Sequence, residues 1–243
     1  TAGSVKINGA NSGAALAGTI PATKISANTT SGFSIIGYTG TAVAGTVAHG
    51  LSEAPDMVIA KERSGATTGQ WIVGVIQDPM NFTDYLSLDK STNYSDVPYW
   101  NDTAPTASVF SVGTSHDINE SGGTYVVYCF HSVEGYSKVG SYVGNGNADG
   151  TFIYTGFRPA WILVKNMDSS SNWQLTDDKR LGYNADNNDF EPNNNDAEKT
   201  NDYIDIVSNG IKVRTTDSGY NTNTDRYLYL SFAETPFKTS NAR

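Results

Sequence analysis

Apolar residues along this chain fall in short runs, most of them alternating with polar ones, and clusters of Gly, Pro, Asn and Asp separate the runs. A period of two in β-branched and aromatic residues predicts strands. In the first half these are Phe33–Tyr38, Thr46–His49, Met57–Lys61, Gln70–Ile76, Tyr85–Leu88, Val109–Val112 and Tyr125–His131. In the second half they are Ser137–Tyr142, Thr151–Tyr154, Trp161–Lys165, Trp173–Leu175, Tyr203–Val207, Ile211–Thr215 and Tyr227–Ala233. MVIAK (57–61) and WILVK (161–165) are nearly continuous apolar runs, which predicts central strands covered on both faces. Each run follows a proline, a residue tolerated at a strand entrance but not within a central strand. Asn209-Gly210 predicts a hairpin closed by a type I′ turn. No window carries a capped 3.6-residue period, so no helix is predicted. The pattern reads as all-β, a jelly-roll or β-sandwich.

The pattern also runs twice. TVAHGLSEAPDMVIAK (46–61) matches TFIYTGFRPAWILVK (151–165), with Pro55 on Pro159 and Lys61 on Lys165. At the same spacing Tyr38 and Gly40 fall on Tyr142 and Gly144. At a slightly shorter spacing Trp71 falls on Trp173, and YVVYCF (125–130) on YLYLSF (227–232). Two long copies are too few for a solenoid. They fit two β units or one sandwich built from pseudo-repeated halves, residues 32–137 and 138–243. Trp71 and Trp173 are then expected in corresponding environments. No candidate catalytic set is repeated with the strands.

Residues 1–31 contain no aromatic residue and are dominated by Ala, Gly, Ser, Thr and Asn. Their sparse apolar positions suit a flexible linker, or an extended arm that orders on a neighbouring subunit. We take the arm as the expectation, with Val5, Ile7, Ile20 and Ile25 anchoring it by strand addition.

Composition narrows the function classes. The chain has 243 residues, of which 17% are charged, with 24 Gly and 14 Tyr, a balance that suits strands joined by tight turns. A net charge of −9 argues against a nucleic-acid surface and against adhesion to anionic membranes. No apolar run approaches the length of a membrane helix. There is neither an initiator Met nor a signal peptide, so the expected chain is a processed or excised one. The single Cys129 can form no internal disulfide, which fits folding in a reducing cytoplasm.

Candidate chemistry is thin. Cys129 and His131 would share a strand face, but the second copy has Ser231 and Ala233 at those places, so a small core cysteine is expected. His49 and His116 match no metal spacing. The carboxylates include no pair that spacing marks out for glycoside hydrolysis, so no enzyme is expected and a polysaccharide depolymerase is the least favoured reading. The stretch NADNNDFEPNNNDAE (184–198) is a solvated loop with Asx turns, or offers Asp186, Asp189, Glu191 and Asp196 as Ca²⁺ ligands. No other cofactor is implied. Glycines in GNGNADG (144–150) precede no helix, so they form no phosphate cradle. Tyr94, Tyr99, Trp100, Tyr183 and Tyr220 lie in polar, loop-like segments. There they can stack on sugars, fill a subunit interface, or simply pack.

The paired motifs carry a resemblance. GYTG, GTVAHGLSEAPDMVIAK, YCFHSVEGYSKVGSYVGNGNADGTFIYTGFRPAWILVK and the ending AETPFKTSNAR resemble a duplicated β-sandwich domain of unknown function. That domain recurs in tail-fibre-like and other structural virion proteins of marine tailed bacteriophages, and the resemblance spans residues 30–243. It implies a non-enzymatic protein of the virion surface, a tail fibre, adhesin or capsid decoration, folded in the host cytoplasm. The implied partners are other virion proteins, further copies of itself as a homo-oligomer with a trimer favoured, and host surface polysaccharide. The alternative is a lectin-like carbohydrate-binding module. No site residue is carried over from the resemblance.

Overall fold

The computed structural model describes residues 6–11, 16–65, 69–180, 184 and 188–236, and apart from one helical turn its regular secondary structure is all strand. The chain divides into two compact units. Unit 1 holds the residues up to Ser87 together with Tyr94–His131, and unit 2 holds Leu88–Asn93 with the residues from Ser132 onward. The division therefore falls a few residues before the expected one, and one short segment of the first half belongs to the second unit. The reason is local: Ser91 O accepts Ser171 N (2.8 Å) and Lys165 Nζ (3.3 Å).

Unit 1 contains β1 (Lys6–Ile7), β2 (Ala10–Asn11), β3 (Ala22–Asn28), β4 (Phe33–Thr39), β5 (Gly45–Ala48), β6 (Met57–Ser64), β7 (Trp71–Val75), β8 (Leu86–Ser87) and β9 (Val109–Val112). One helical turn, α1 (His116–Asn119), and β10 (Thr124–Phe130) complete it. The main sheet runs β2-β1-β3-β4-β10-β6-β7-β8, and β5 pairs with β9 in a second, two-stranded sheet. Ile36, Tyr38, Val58, Ala60, Ile72, Tyr125 and Val127 from the main sheet form one core with Val47, Phe110 and Val112 of the small sheet. This is a lopsided sandwich. β6 lies between β10 and β7, and Met57, Val58, Ile59 and Ala60 are all buried, as the continuous apolar run predicted. α1 went unpredicted because one turn is too short to display a period.

The N-terminal segment departs from expectation. β3 pairs antiparallel with β4, setting Ile25 opposite Ile36, and Ile20, Ala22 and Ile25 join the unit 1 core. Ile20 and Ile25 are therefore part of the chain's own body, not anchors for a neighbour. Ile7 is half-buried on β1, which runs parallel to β3, and Val5 lies outside the described residues. Sparse apolar residues suffice here because a bulge between Ala22 and Lys24 turns Ala22 and Ile25 to one face of β3, and β4 supplies the rest of the core.

Unit 2 contains β11 (Ser137–Val143), β12 (Phe152–Tyr154), β13 (Pro159–Asn166), β14 (Gln174–Asp177), β15 (Asp189–Phe190), β16 (Ile204–Val207), β17 (Gly210–Val213) and β18 (Arg226–Ala233). A sheet ordered β11-β18-β13-β14-β15 packs on another ordered β12-β17-β16. Their shared core includes Ile153, Ile162, Val164, Ile206, Ile211 and Val213. The β16–β17 hairpin exists, but its turn is Ser208-Asn209, with Gly210 already paired to Val207. The glycine is needed for proximity, since a Cβ on Gly210 would stand 2.1 Å from Ile153 O on β12. The two tryptophans also differ from expectation: Trp71 is half-buried, whereas Trp173 is 1% exposed.

Candidate functional site

Both units close the same end of the sheet with the same polar clamp. In unit 1, Tyr38 and Tyr125 stack with ring centroids 5.0 Å apart, and in unit 2 Tyr142 and Tyr227 stack at 4.9 Å. Tyr38 OH donates to Ile118 O, and Tyr142 OH to Tyr220 O at 2.8 Å. Tyr125 OH accepts Glu120 N and Tyr227 OH accepts Thr222 N, each at 2.7 Å. A buried asparagine completes each clamp. Asn119 Oδ1 accepts Thr41 N (2.8 Å), while its Nδ2 donates to Val43 O (2.8 Å) and Gly113 O (2.7 Å). Asn221 Oδ1 accepts Asn145 N (2.8 Å), while its Nδ2 donates to Asn147 O and Thr215 O, both 2.7 Å. Gly40 and Gly144 leave room for the loop, since a Cβ on either would lie 2.2 Å from a carbonyl oxygen, of Glu120 or Thr222. Burial pushes the Tyr38 and Tyr142 hydroxyls well above their ordinary range. These groups stay protonated, and their role is to hold loops.

Beneath the clamps the units differ. Tyr125 faces Glu62 across the β10–β6 pair, and Tyr227 faces Asn166 across β18–β13. Glu62 is 6% exposed; its Oε2 accepts Gly69 N (2.9 Å) while its buried Oε1 has no partner. A Cβ on Gly65 would stand 1.6 Å from Glu62 Oε1 and 2.3 Å from Glu120 Oε2, so the two carboxylates face each other across that gap. Asp117 accepts Tyr99 OH (2.7 Å) and Gln70 N (3.1 Å). In unit 2 the neutral Asn166 amide donates to Ser218 O (3.2 Å), Asp225 Oδ2 (2.9 Å) and Tyr227 OH (3.1 Å).

The residues singled out from sequence are mostly structural. Tyr99, Trp100 and Tyr220 are buried, at 6%, 1% and 1% exposure. Tyr99 bonds Asp117, Trp100 packs edge-on to Phe82 at 5.6 Å, and Tyr220 bonds Thr176. They are core groups, not contact groups for glycan or subunit. Tyr94 is half-buried, and Tyr183 lies outside the described residues. Among the described residues, the proposed Ca²⁺ ligands Asp189, Glu191 and Asp196 form no metal-holding group. Asp186 lies outside the described residues, Asp196 is exposed, and Glu191 is buried on Lys199 Nζ, Gln174 Nε2 (3.1 Å) and Asn194 Nδ2 (2.6 Å). An internal ammonium stands where a cation was expected. Asp189 is fully buried, and desolvation pushes its carboxyl up to about 6. No group of three or more His, Cys, Asp or Glu among the described residues is arranged to hold a metal ion.

Cys129 is buried on the inner face of β10, and desolvation raises its thiol far above the ordinary range. His131 lies beyond the strand end, its Nδ1 3.1 Å from Ala54 O, so no thiolate–imidazole pair forms. His49 spans Thr106 O (3.0 Å) and Leu51 N (3.1 Å), and His116 lies 3.6 Å from Asp117.

In unit 1 the outer sheet face is open to other molecules at β3, β4 and β10. Registers of β3, β4, β10, β6 and β7 set Lys24, Gly37, Val126, Lys61 and Trp71 in one cross-strand row. The next row carries Ile35 and Tyr128, with Tyr128 stacked 6.3 Å from Trp71 and 6.5 Å from Phe33. A groove of about 660 Å³ opens here, lined by Lys24, Ile35, Gly37, Arg63, Val126 and Tyr128 among others. Lys24, Lys61 and Arg63 are the Lys and Arg residues of unit 1 whose side chains are described, and none pairs with a described carboxylate. In unit 2, by contrast, Arg158, Arg180, Lys199, Lys212, Arg214 and Arg226 are all ion-paired. Sequence reasoning missed this face. Alternation sets Lys61 and Arg63 on one side of β6, but the register that adds Lys24 and Tyr128 is not written in the chain. Unit 2 has a smaller exposed patch, where Phe152 and Tyr154 point outward at 46% and 57% exposure. Lys138 Nζ there donates to Tyr154 O (3.0 Å) and lies 5.5 Å from the Tyr154 ring.

Residues 4–236 match the family described as Domain of unknown function (DUF7483), and the chain belongs to that family. The match includes most of the N-terminal segment, which the phage-domain resemblance had left outside. No curated protein and no solved structure matches the chain.

Proposed function

We propose that this DUF7483 protein is a non-enzymatic structural component of the bacteriophage virion surface, a tail-fibre adhesin or capsid decoration, which touches its partners through open sheet faces. The observation that carries this reading is the use the fold makes of its reactive groups. Asp117, Glu191, His49 and the clamp tyrosines are each spent on holding a loop or strand end. Aromatic and cationic side chains are gathered instead on an open face of unit 1. The phage-domain resemblance supplies the location, and assembly with further copies and other virion proteins belongs to the same reading. Immunogold labelling and cryo-EM of purified particles test it: density on the virion is expected, and exclusive presence in infected cytoplasm overturns it.

A second reading, a lectin-like module, is favoured by the outward Phe152 and Tyr154 beside Lys138, an arrangement on which a sugar ring can stack. Tyr154→Ala is then expected to abolish glycan-array signal without changing the melting temperature. An unchanged array would reject this patch.

A further inference from the structure

Unit 1 separates its charges. Its carboxylates Glu62, Asp117 and Glu120 gather under the tyrosine clamp on the inner side of the sheet, while Lys24, Lys61 and Arg63 lie on the outer side. Cations with no carboxylate partner among the described residues, beside an apolar groove on a chain of net charge −9, are poised for an anion. Lys61 Nζ already donates to Gly69 O and rests 6.0 Å from the Trp71 ring, so it is held in place along the row. Lys24 and Arg63 line the groove itself, with half-exposed Tyr128 and Ile35 between them.

We infer that this groove binds an acidic saccharide, a carboxylate- or sulfate-bearing glycan whose ring lies against Tyr128 and Ile35 and whose anionic groups reach Lys24 and Arg63. The inference rests on the reading of this face as a contact surface and names its ligand. Three features select the ligand class. β4 and β10 each have strands on both sides, so their backbone groups are already paired and an acidic peptide cannot add as a strand. Three cations on an acidic chain are too few to hold a nucleic-acid backbone. A neutral sugar would leave Lys24 and Arg63 unused, whereas a carboxylate or sulfate gives each a charge-assisted hydrogen bond and matches the planar Arg63 fork. The aromatic surface gives the ring a hydrophobic face to cover.

Calorimetric titration of the full chain with an oligogalacturonate and with a sulfated oligosaccharide tests the proposal, using neutral dextran oligomers and poly-glutamate as controls. Binding of at least one acidic saccharide is expected, weakening as salt rises, with neither control bound. Lys24→Gln and Arg63→Gln, both exposed and outside the core, should each lower affinity roughly tenfold with the melting temperature held, the loss expected for one charge-assisted contact. Val143→Ala, on the exposed surface of the other unit, should leave it unchanged. Equal binding of dextran, poly-glutamate binding as tight as the saccharide, insensitivity to both Gln variants, or no binding of either acidic saccharide overturns the proposal. Virion labelling reads the proposed function separately, so a particle-bound protein that ignores these saccharides would lose only the ligand assignment.

Discussion

Units 1 and 2 share a skeleton of hydrogen bonds and differ in where they put charge. The Tyr–Tyr stack, the asparagine that ties three backbone groups and the glycine pressed against a carbonyl recur with nearly the same distances. Beneath them unit 1 sets carboxylates and unit 2 sets an amide. Unit 2 pairs most of its cations with acids, and unit 1 leaves its described cations on an open face. The difference teaches which features a duplicated β unit can change. Buried polar groups that satisfy one another must change together, because leaving one unpaired costs about 1–3 kcal/mol. A surface charge can be moved or inverted almost freely.

Equal clamps should fail equally. Tyr38→Ala and Tyr142→Ala each empty a buried ring site, and each is expected to cost about 3–5 kcal/mol. Denaturant titration that found one of the two neutral would break the equivalence. Next come Asn119→Ala and Asn221→Ala, each removing three hydrogen bonds between a buried side-chain amide and loop backbone, with a loss of about 3 kcal/mol apiece. A large loss for one and none for the other would mean that only one unit needs the clamp.

A pH series sharpens the contrast, because Asp189 and Lys165, both buried and pushed toward neutral pH, lie in unit 2. Burial lifts the Asp189 carboxyl to about 6, so the fold favours its protonated form. That contribution is complete below the carboxyl's ordinary value and is lost as pH climbs through about 6, for a change of about 2–3 kcal/mol. Burial lowers the Lys165 ammonium to about 7, so its penalty is present below about 7 and is relieved as pH rises toward 10.5. Unit 2 is therefore expected to be least stable between about pH 6 and 7. Asp189→Asn should remove the acid limb and Lys165→Met the alkaline one, as read by melting temperature against pH. A flat profile in the parent protein would contradict both. The smallest effect is expected at Glu62→Gln, which keeps the acceptor for Gly69 N and removes a buried charge facing Glu120. A gain of about 1 kcal/mol should follow, and a loss would show that the carboxylate itself is needed.

Much of this architecture was legible in the chain. The strands from Phe33 onward, apart from β15, the central placement of MVIAK and WILVK and the internal repeat follow from the period of two and from apolar runs too long for a one-faced strand. Repetition also marked Tyr38, Gly40 and Tyr125 with their second copies, though not Asn119 and Asn221, because a lone Asn in a turn looks like any other turn residue. Other readings failed because polarity in sequence is not exposure in space. Tyr99, Trp100 and Tyr220 sit among Asn, Asp, Ser and Thr, yet their rings turn inward. Ile20 and Ile25 lie in an Ala- and Gly-rich stretch, yet β4 lends them a core.

The sequence by itself determined the repeat, most of the strands and the side of each that faces inward, because strand formation and facing depend on neighbours one to four positions away. Tertiary structure alone decided which rows form across strands. It brought Lys24 from β3 into line with Lys61 from β6, set Glu62 against Glu120, and paired Glu191 with Lys199. Such partners are joined by register and loop path. A one-residue slip exchanges every side chain between faces, so no local pattern encodes them.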